Sequence, residues 1–433
     1  MAFQKKNRRV KIHQKQDPKA APAAKNIEMA PNTKKRRRTM KEEAKPQKRK
    51  AEPKPQTKFK VVKGTAKQRK MANIRSRIFT GFIALLVAAV LLIQILSPTG
   101  FFEWSQNCIS LIGSGSFPVT LNDDSVCGLY TYASRSYVLT DAYMYAYNSS
   151  GKEVTSVQHG YLSPVLDVSA ARTLLYDRGN HKLRVDNLGN NIANVEFEQE
   201  ILTADISDCG YTAVALNDAE YATTVTVYDR RFNPVFKSSF TSETVSCVKL
   251  SPNGKNVCIV RISSDNGTFV SKICIYDVKS GTKITEEKVN GSMIVTAACI
   301  KNRLYLTSAD TALSMKWDGG ERISYEYSNI FFVTGEGGKH LLIAYNSDSG
   351  KDVSVALLNK EGAEEAKLTL NSGFSQIKVG KEKIYTLNNN VVEAFGLDGE
   401  FIESFEIGYD YTYLAPRGKG LMTTSDMKLV YYE

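Results

Sequence analysis

The amino-acid sequence predicts an all-β fold, a β-propeller of eight blades with seven as the fallback, behind one transmembrane α-helix and a disordered basic tail. Three observations predict it: a mark recurring roughly every 42 residues, a period-2 alternation of apolar and polar residues between marks, and one apolar run, Ile78 to Leu96, with no charge between Arg77 and Glu103.

The mark is an apolar residue followed by Asp or Asn just before a Gly or turn cluster. It occurs at Tyr147-Asn148, Val185-Asp186, Tyr228-Asp229, Tyr276-Asp277, Trp317-Asp318, Leu358-Asn359 and Leu397-Asp398. The polar members are 38, 43, 48, 41, 41 and 39 residues apart, which means a repeat architecture. Between marks, runs such as Thr224 to Tyr228 and Lys272 to Tyr276 alternate like half-buried strands. One period holds four strands of about five to seven residues with short turns, the content of a propeller blade. At the first position of a tight turn, Asp or Asn accepts the backbone N–H two residues on, and a following Gly supplies positive φ. The marks therefore read as turns between third and fourth strands rather than as acids or metal ligands.

Blade number follows from the chain ends. An eighth mark falls at Tyr431-Tyr432-Glu433, so the last blade lacks its outer strand, while Phe117 to Leu121 reads as an isolated strand ahead of the first repeat. Pairing the two closes the ring and hides two open sheet edges. The expected order is a disordered cytoplasmic tail 1–77, a signal-anchor helix 78–97, a linker 98–115, and an extracytoplasmic propeller 116–433 closed by strand 117–121.

Nineteen helical residues cover about 28 Å, close to the roughly 30 Å of bilayer hydrocarbon. Arg75 and Arg77 flank one end, and Phe101, Phe102 and Trp104 supply aromatic anchors at the other. Residues 1–77 hold 27 Lys/Arg and five acids, and the remainder is net acidic. The positive-inside rule then places the N-terminus in the cytoplasm and the C-terminal domain outside it, at the cell membrane. The tail has no Trp or Tyr and cannot bury a core. Its expected contact is anionic lipid, with a cytoplasmic protein second; nucleic acid ranks last, because no folded reader or stacking aromatics accompany the charge.

The layout of basic tail, single anchor and propeller, with Gln158-His159-Gly160-Tyr161, Ser163-Pro164-Val165-Leu166, Leu174-Leu175-Tyr176-Asp177-Arg178-Gly179 and Lys182-Leu183-Arg184-Val185, resembles an uncharacterised family of Gram-positive bacterial membrane proteins, domain-of-unknown-function family 5711. The resemblance covers roughly residues 75–433 and implies an address without an activity. Leu250-Ser251-Pro252-Asn253-Gly254-Lys255 is separately similar to a turn of TolB-like and WD40-type propellers.

No pattern points to catalysis. His13, His159, His181 and His340 lack metal-ligand spacing, and neither a Gly-x-Ser-x-Gly elbow nor a phosphate-binding loop occurs. Gly335-Glu336-Gly337-Gly338 reads as a turn. No cofactor and no metal are expected. The seven cysteines all follow the anchor without a Cys-x-x-Cys; Cys258 and Cys274 read as buried thiols, and Cys108 with Cys127 is the pair that would bridge if any does.

Binding residues concentrate on loops of rigid scaffolds. The candidate patch is His159, Tyr161, Tyr176, Asp177, Arg178, His181 and Arg184, gathered in two inter-strand stretches. The plainer account is that Asp177 and Arg178 form an ion pair holding a turn. Tyr409, Tyr411 and Tyr413 alternate and would share one strand face. Together these features favour a membrane-anchored binding or scaffold protein for a protein or cell-envelope partner, held at the propeller rim or channel mouth. The alternative is an enzyme acting on envelope polysaccharide or peptide with residues assembled at the channel.

Overall fold

In a computed structural model of the chain, the described residues are 66–96, 101–122, 125–170, 172–188, 190–335, 338–347, 352–371 and 373–433. Two helices, α1 (Ala66–Leu96) and α2 (Phe101–Ser110), precede the strands. The strands form eight four-stranded antiparallel sheets. These are blades I (126–158), II (164–196), III (201–240), IV (244–290), V (296–326), VI (330–371), VII (376–406) and VIII (413–432 with Val119–Thr120). The expected eight blades are present.

Each blade is a meander, and first strands of most neighbouring blades touch, so they form the inner ring. One face of the disc therefore carries the loops between strands 1 and 2 and between 3 and 4, called here the turn face. The other carries the 2–3 loops and the blade-to-blade connections, called the connection face.

Strand alternation decides which blade interface a side chain enters. In blade I, Val138 and Tyr145 pack toward blade VIII, whereas Tyr137, Leu139, Met144 and Ala146 pack toward blade II. Ala213 and Ala215 likewise face blade IV, while Val214 and Leu216 face blade II. This is the period of two expected of strands, applied to both sides. The core is consequently a ring of interfaces rather than one centre. Each fully buried Val, Leu or Ile there contributes about 1.5–3 kcal/mol.

Six of the seven marks sit at turns between third and fourth strands. Asn148, Asp229, Asp318, Asn359 and Asp398 accept the amide two residues on, at 3.0, 2.8, 2.9, 3.1 and 3.1 Å. Asp277 accepts that of Ser280 at 2.7 Å. Asp186 is the exception. It is buried within strand 3 of blade II and pairs with Arg184 Nε at 2.5 Å, with Asn191 Nδ2 at 3.3 Å.

The ring closes through the N-terminal strand, in the register Val119↔Leu429 and Thr120↔Lys428. This strand is shorter than the expected 117–121, because Pro118 has no N–H to extend the ladder. Beyond it, Leu121 N–H still donates to Met427 O at 2.8 Å, and Asp426 accepts Val126 N–H at 2.9 Å. The buried Arg417 guanidinium lies over the rings of Phe117 and Tyr431 at 5.0 and 4.4 Å and donates to Ser136 Oγ and Ser149 O, both at 3.2 Å. One cation thus ties blade VIII to blade I and to the entering chain.

Within α1, Asn73–Gln94 is long and apolar enough to cross a membrane, and none of that window is buried in the described chain, although Gln94 Oε1 at its end accepts Phe101 N–H at 2.8 Å. The helix begins at Ala66, well ahead of the expected Ile78. Also unexpected is α2, which lies where a plain linker is read from sequence. The tail up to residue 65, the Ser97 to Gly100 stretch, and the Phe102 and Trp104 side chains fall outside the described residues. Cys258 and Cys274 are buried as expected, and Cys108 and Cys127 are free and exposed rather than bridged.

Candidate functional site

Helix α2 docks on the turn face. Glu103, in its first turn, accepts from Arg172 NH2 at 2.5 Å and from Arg172 Nε at 3.2 Å. Arg172 is almost fully buried and also donates to the carbonyls of Gly210 and Arg230, at 3.2 and 2.7 Å. Further along, Gln106 Oε1 accepts from Asn187 Nδ2 at 3.0 Å, and Ser110 Oγ from Arg135 NH2 at 2.8 Å. The Gly113 carbonyl takes Ser150 Oγ at 2.9 Å. Every partner belongs to a turn-face loop or strand end of blades I to III. The segment leading from α1 therefore meets one defined face.

The predicted patch lies mostly on the opposite face, in the I-to-II connection and the 2–3 loop of blade II. The structure brings its two stretches together: Ser163 N–H donates to Asp177 Oδ1 at 2.7 Å, and Arg178 N–H to Ser163 O at 3.0 Å. His159 Nε2 lies 3.1 Å from Thr140 O, and its Nδ1 accepts Tyr161 N–H at 3.0 Å, which fixes a neutral ring protonated at Nε2. Burial holds the pKa of this ring below its usual range. Burial likewise pushes the Tyr161 hydroxyl up to about 12, against the pull of Arg184.

Tyr161, Tyr176 and Asp177 are thus buried and structural, while Arg178 is exposed and His181 half-buried. The expected Asp177–Arg178 ion pair does not form. Asp177 is taken by an amide, and Arg178 NH2 reaches the Tyr176 hydroxyl at 3.3 Å. Arg184 leans on Asp186 within strand 3. The tyrosine row also divides: Tyr411 packs with blade VII, Tyr413 with blade I, and Tyr409 is 83% exposed.

Sequence reading missed a charged cluster on the inner ring. Asp167, Asp205 and Lys249 occupy the penultimate positions of the first strands of blades II, III and IV. Each carboxylate accepts the amide of the next blade, Ile206 N–H at 3.1 Å for Asp167 and Leu250 N–H at 2.7 Å for Asp205. Lys249 Nζ donates to Asp205 at 2.6 Å. Asp167 keeps some accessible surface yet is enclosed by protein, and this burial, reinforced by Asp205 and opposed by Lys249, raises its pKa to about 6. Amide acceptance makes the pair staples between blades. The signal in sequence is their spacing, 44 residues from Asp205 to Lys249, which repeats the blade period.

No group of three or more His, Cys, Asp or Glu side chains able to hold a metal occurs among the described residues. A family model described as a family of unknown function, DUF5711, matches residues 119–427. No curated protein matches the chain. Among solved structures it is similar to the computationally designed Ika8 protein, with 12% identity and a TM-score of 0.52 over 74% of this chain and 100% of that one. The C-terminal WD40 domain of Sif2 matches equally, with 12% identity and a TM-score of 0.52 over 74% of this chain and 100% of that one. BamB from Moraxella catarrhalis matches at 14% identity and a TM-score of 0.48 over 74% of this chain and 99% of that one. Likeness at these identities is of fold alone.

Proposed function

This chain belongs to the DUF5711 family of unknown function, and we propose that it is a single-pass membrane protein whose propeller stands outside the cytoplasm and binds or scaffolds a protein or cell-envelope partner. Its basic tail then lies in the cytoplasm against anionic lipid. The observation that carries this reading is the docking of α2. A free tether needs no partners, whereas α2, starting five residues after the apolar helix ends, is held by the Glu103–Arg172 pair. The same stretch continues directly into the strand that closes the ring. A domain fastened at one face is suited to presenting the other.

Topology is the first test. In wall-stripped cells, added protease is expected to cut the propeller loops and spare a tag at Met1. The opposite pattern would overturn the orientation, and full-length chain in the soluble fraction would overturn the tether. The patch His159, Tyr161, Tyr176, Asp177, Arg178, His181 and Arg184 enters this proposal through exposed Arg178 and half-buried His181, with the others positioning them.

A further inference from the structure

We infer that the connection face is a docking surface for a basic polypeptide segment bearing apolar side chains, an inference that rests on the binding reading above and names its partner's chemistry. The two faces differ sharply in charge. Among the described residues, loops of the connection face hold nine acidic residues and one basic residue, Arg178, whereas loops of the turn face hold eight acidic and eleven basic. Glu243 is consumed by Arg261 and Lys272. Seven of the nine acids are exposed, among them Asp141, Glu198, Glu200, Glu220 and Asp410. None of the seven has an ion-pair partner among the described residues.

Apolar exposure follows the same division. Leu162 is 84% exposed, Tyr409 83%, Met427 54% and Val295 51%, and all lie in connection-face loops. Phe269 joins them at the start of strand 3 in blade IV, 55% exposed. No strand-to-strand loop of the turn face holds an exposed large hydrophobe among the described residues; the exposed ones on that side, Ile109, Leu111 and Ile112, belong to the docked segment itself. Unpaired negative charge interleaved with apolar side chains complements a chain that alternates Lys or Arg with Leu, Phe or Trp. An anionic bilayer is repelled by this face, and a neutral glycan leaves its charge unanswered. The tether occupies the other face, so the surface stays open.

The test uses the full chain in nanodiscs of uncharged lipid and a fluorescent 20-residue Lys/Leu amphipathic peptide at low salt. Replacing Asp141, Glu198, Glu200 and Glu220 by their amides is expected to weaken binding by about tenfold or more and flatten its salt dependence. Leu162→Ser with Tyr409→Ser is expected to weaken it by about tenfold, at unchanged thermal stability. Lys279→Gln with Lys419→Gln, on the turn face, should change nothing. A photo-crosslinking form of the peptide should label residues 159–163 and 407–412. Equal binding of a Glu/Leu peptide, equal binding of the variants, labelling of the turn face, or self-association of the chain through Leu162 and Tyr409 seen by light scattering each overturns the inference. Because the nanodisc assay ignores orientation in cells, its failure is separable from failure of the topology.

Discussion

The two faces of the propeller are made by nearly the same number of strand-to-strand loops, fifteen on the turn face and sixteen on the connection face, and differ in how those loops are used. On the turn face, side chains of loops and strand ends are spent on structure: Arg172 holds Glu103 of α2, Arg417 closes the ring, and the Asx turns cap their own amides. On the connection face, Arg178, Glu198, Leu162 and Tyr409 stand in solvent. Helix α2 draws on one end of the disc only; the other also serves the fold, through Asp426, Asp177 and Glu243, but keeps the exposed side chains that the proposed recognition would use.

Substitutions sharpen or break that contrast. Arg172→Ala carries the largest expected effect, because it strands Glu103 and two backbone carbonyls: a loss of about 3–5 kcal/mol in chemical denaturation, with faster proteolysis within 97–115. Arg417→Ala removes two ring contacts and its hydrogen bonds from the closing blade, for about 2–3 kcal/mol in the same measurement. Asp167 gives a pH signature instead. Its carboxyl binds a proton more tightly folded than unfolded, so stability is full below roughly pH 4 and falls as pH rises toward about 6. Asp167→Asn should remove that slope, melting higher than the parent above pH 6 and equally below pH 4. Arg178→Ala is expected to stay within about 0.5 kcal/mol. A cost above about 2 kcal/mol there would mean that the connection face is structural too, and the contrast would fail.

Most of the fold is legible in the sequence because a propeller repeats its physics. Turn chemistry at Asp229, Asp277, Asp318 and Asp398 sets the period, and period-2 runs fill it. Closure by an N-terminal strand follows from counting marks, although its length does not, since Pro118 limits the ladder locally. Helix α2 escapes because Phe101, Phe102 and Trp104 look like interfacial anchors; Glu103 in its first turn is the helix-start signal that favours it. The candidate patch is legible as a location and not as a set of roles. Tyr161, Tyr176 and Asp177 are packed or amide-bound, which no local pattern distinguishes from exposure. The Asp167, Asp205 and Lys249 cluster is invisible one repeat at a time and becomes visible only when repeats are superposed.

In the proposed arrangement the turn face lies toward the membrane and the connection face away from it. With Cys108 and Cys127 replaced by serine, a fluorophore can be placed by Lys279→Cys or Lys419→Cys on the turn face and by Leu162→Cys or Tyr409→Cys on the connection face. In nanodiscs carrying headgroup nitroxide lipids, strong quenching is expected at 279 and 419 and little at 162 and 409. Equal quenching on both faces, or the reverse pattern, would contradict it.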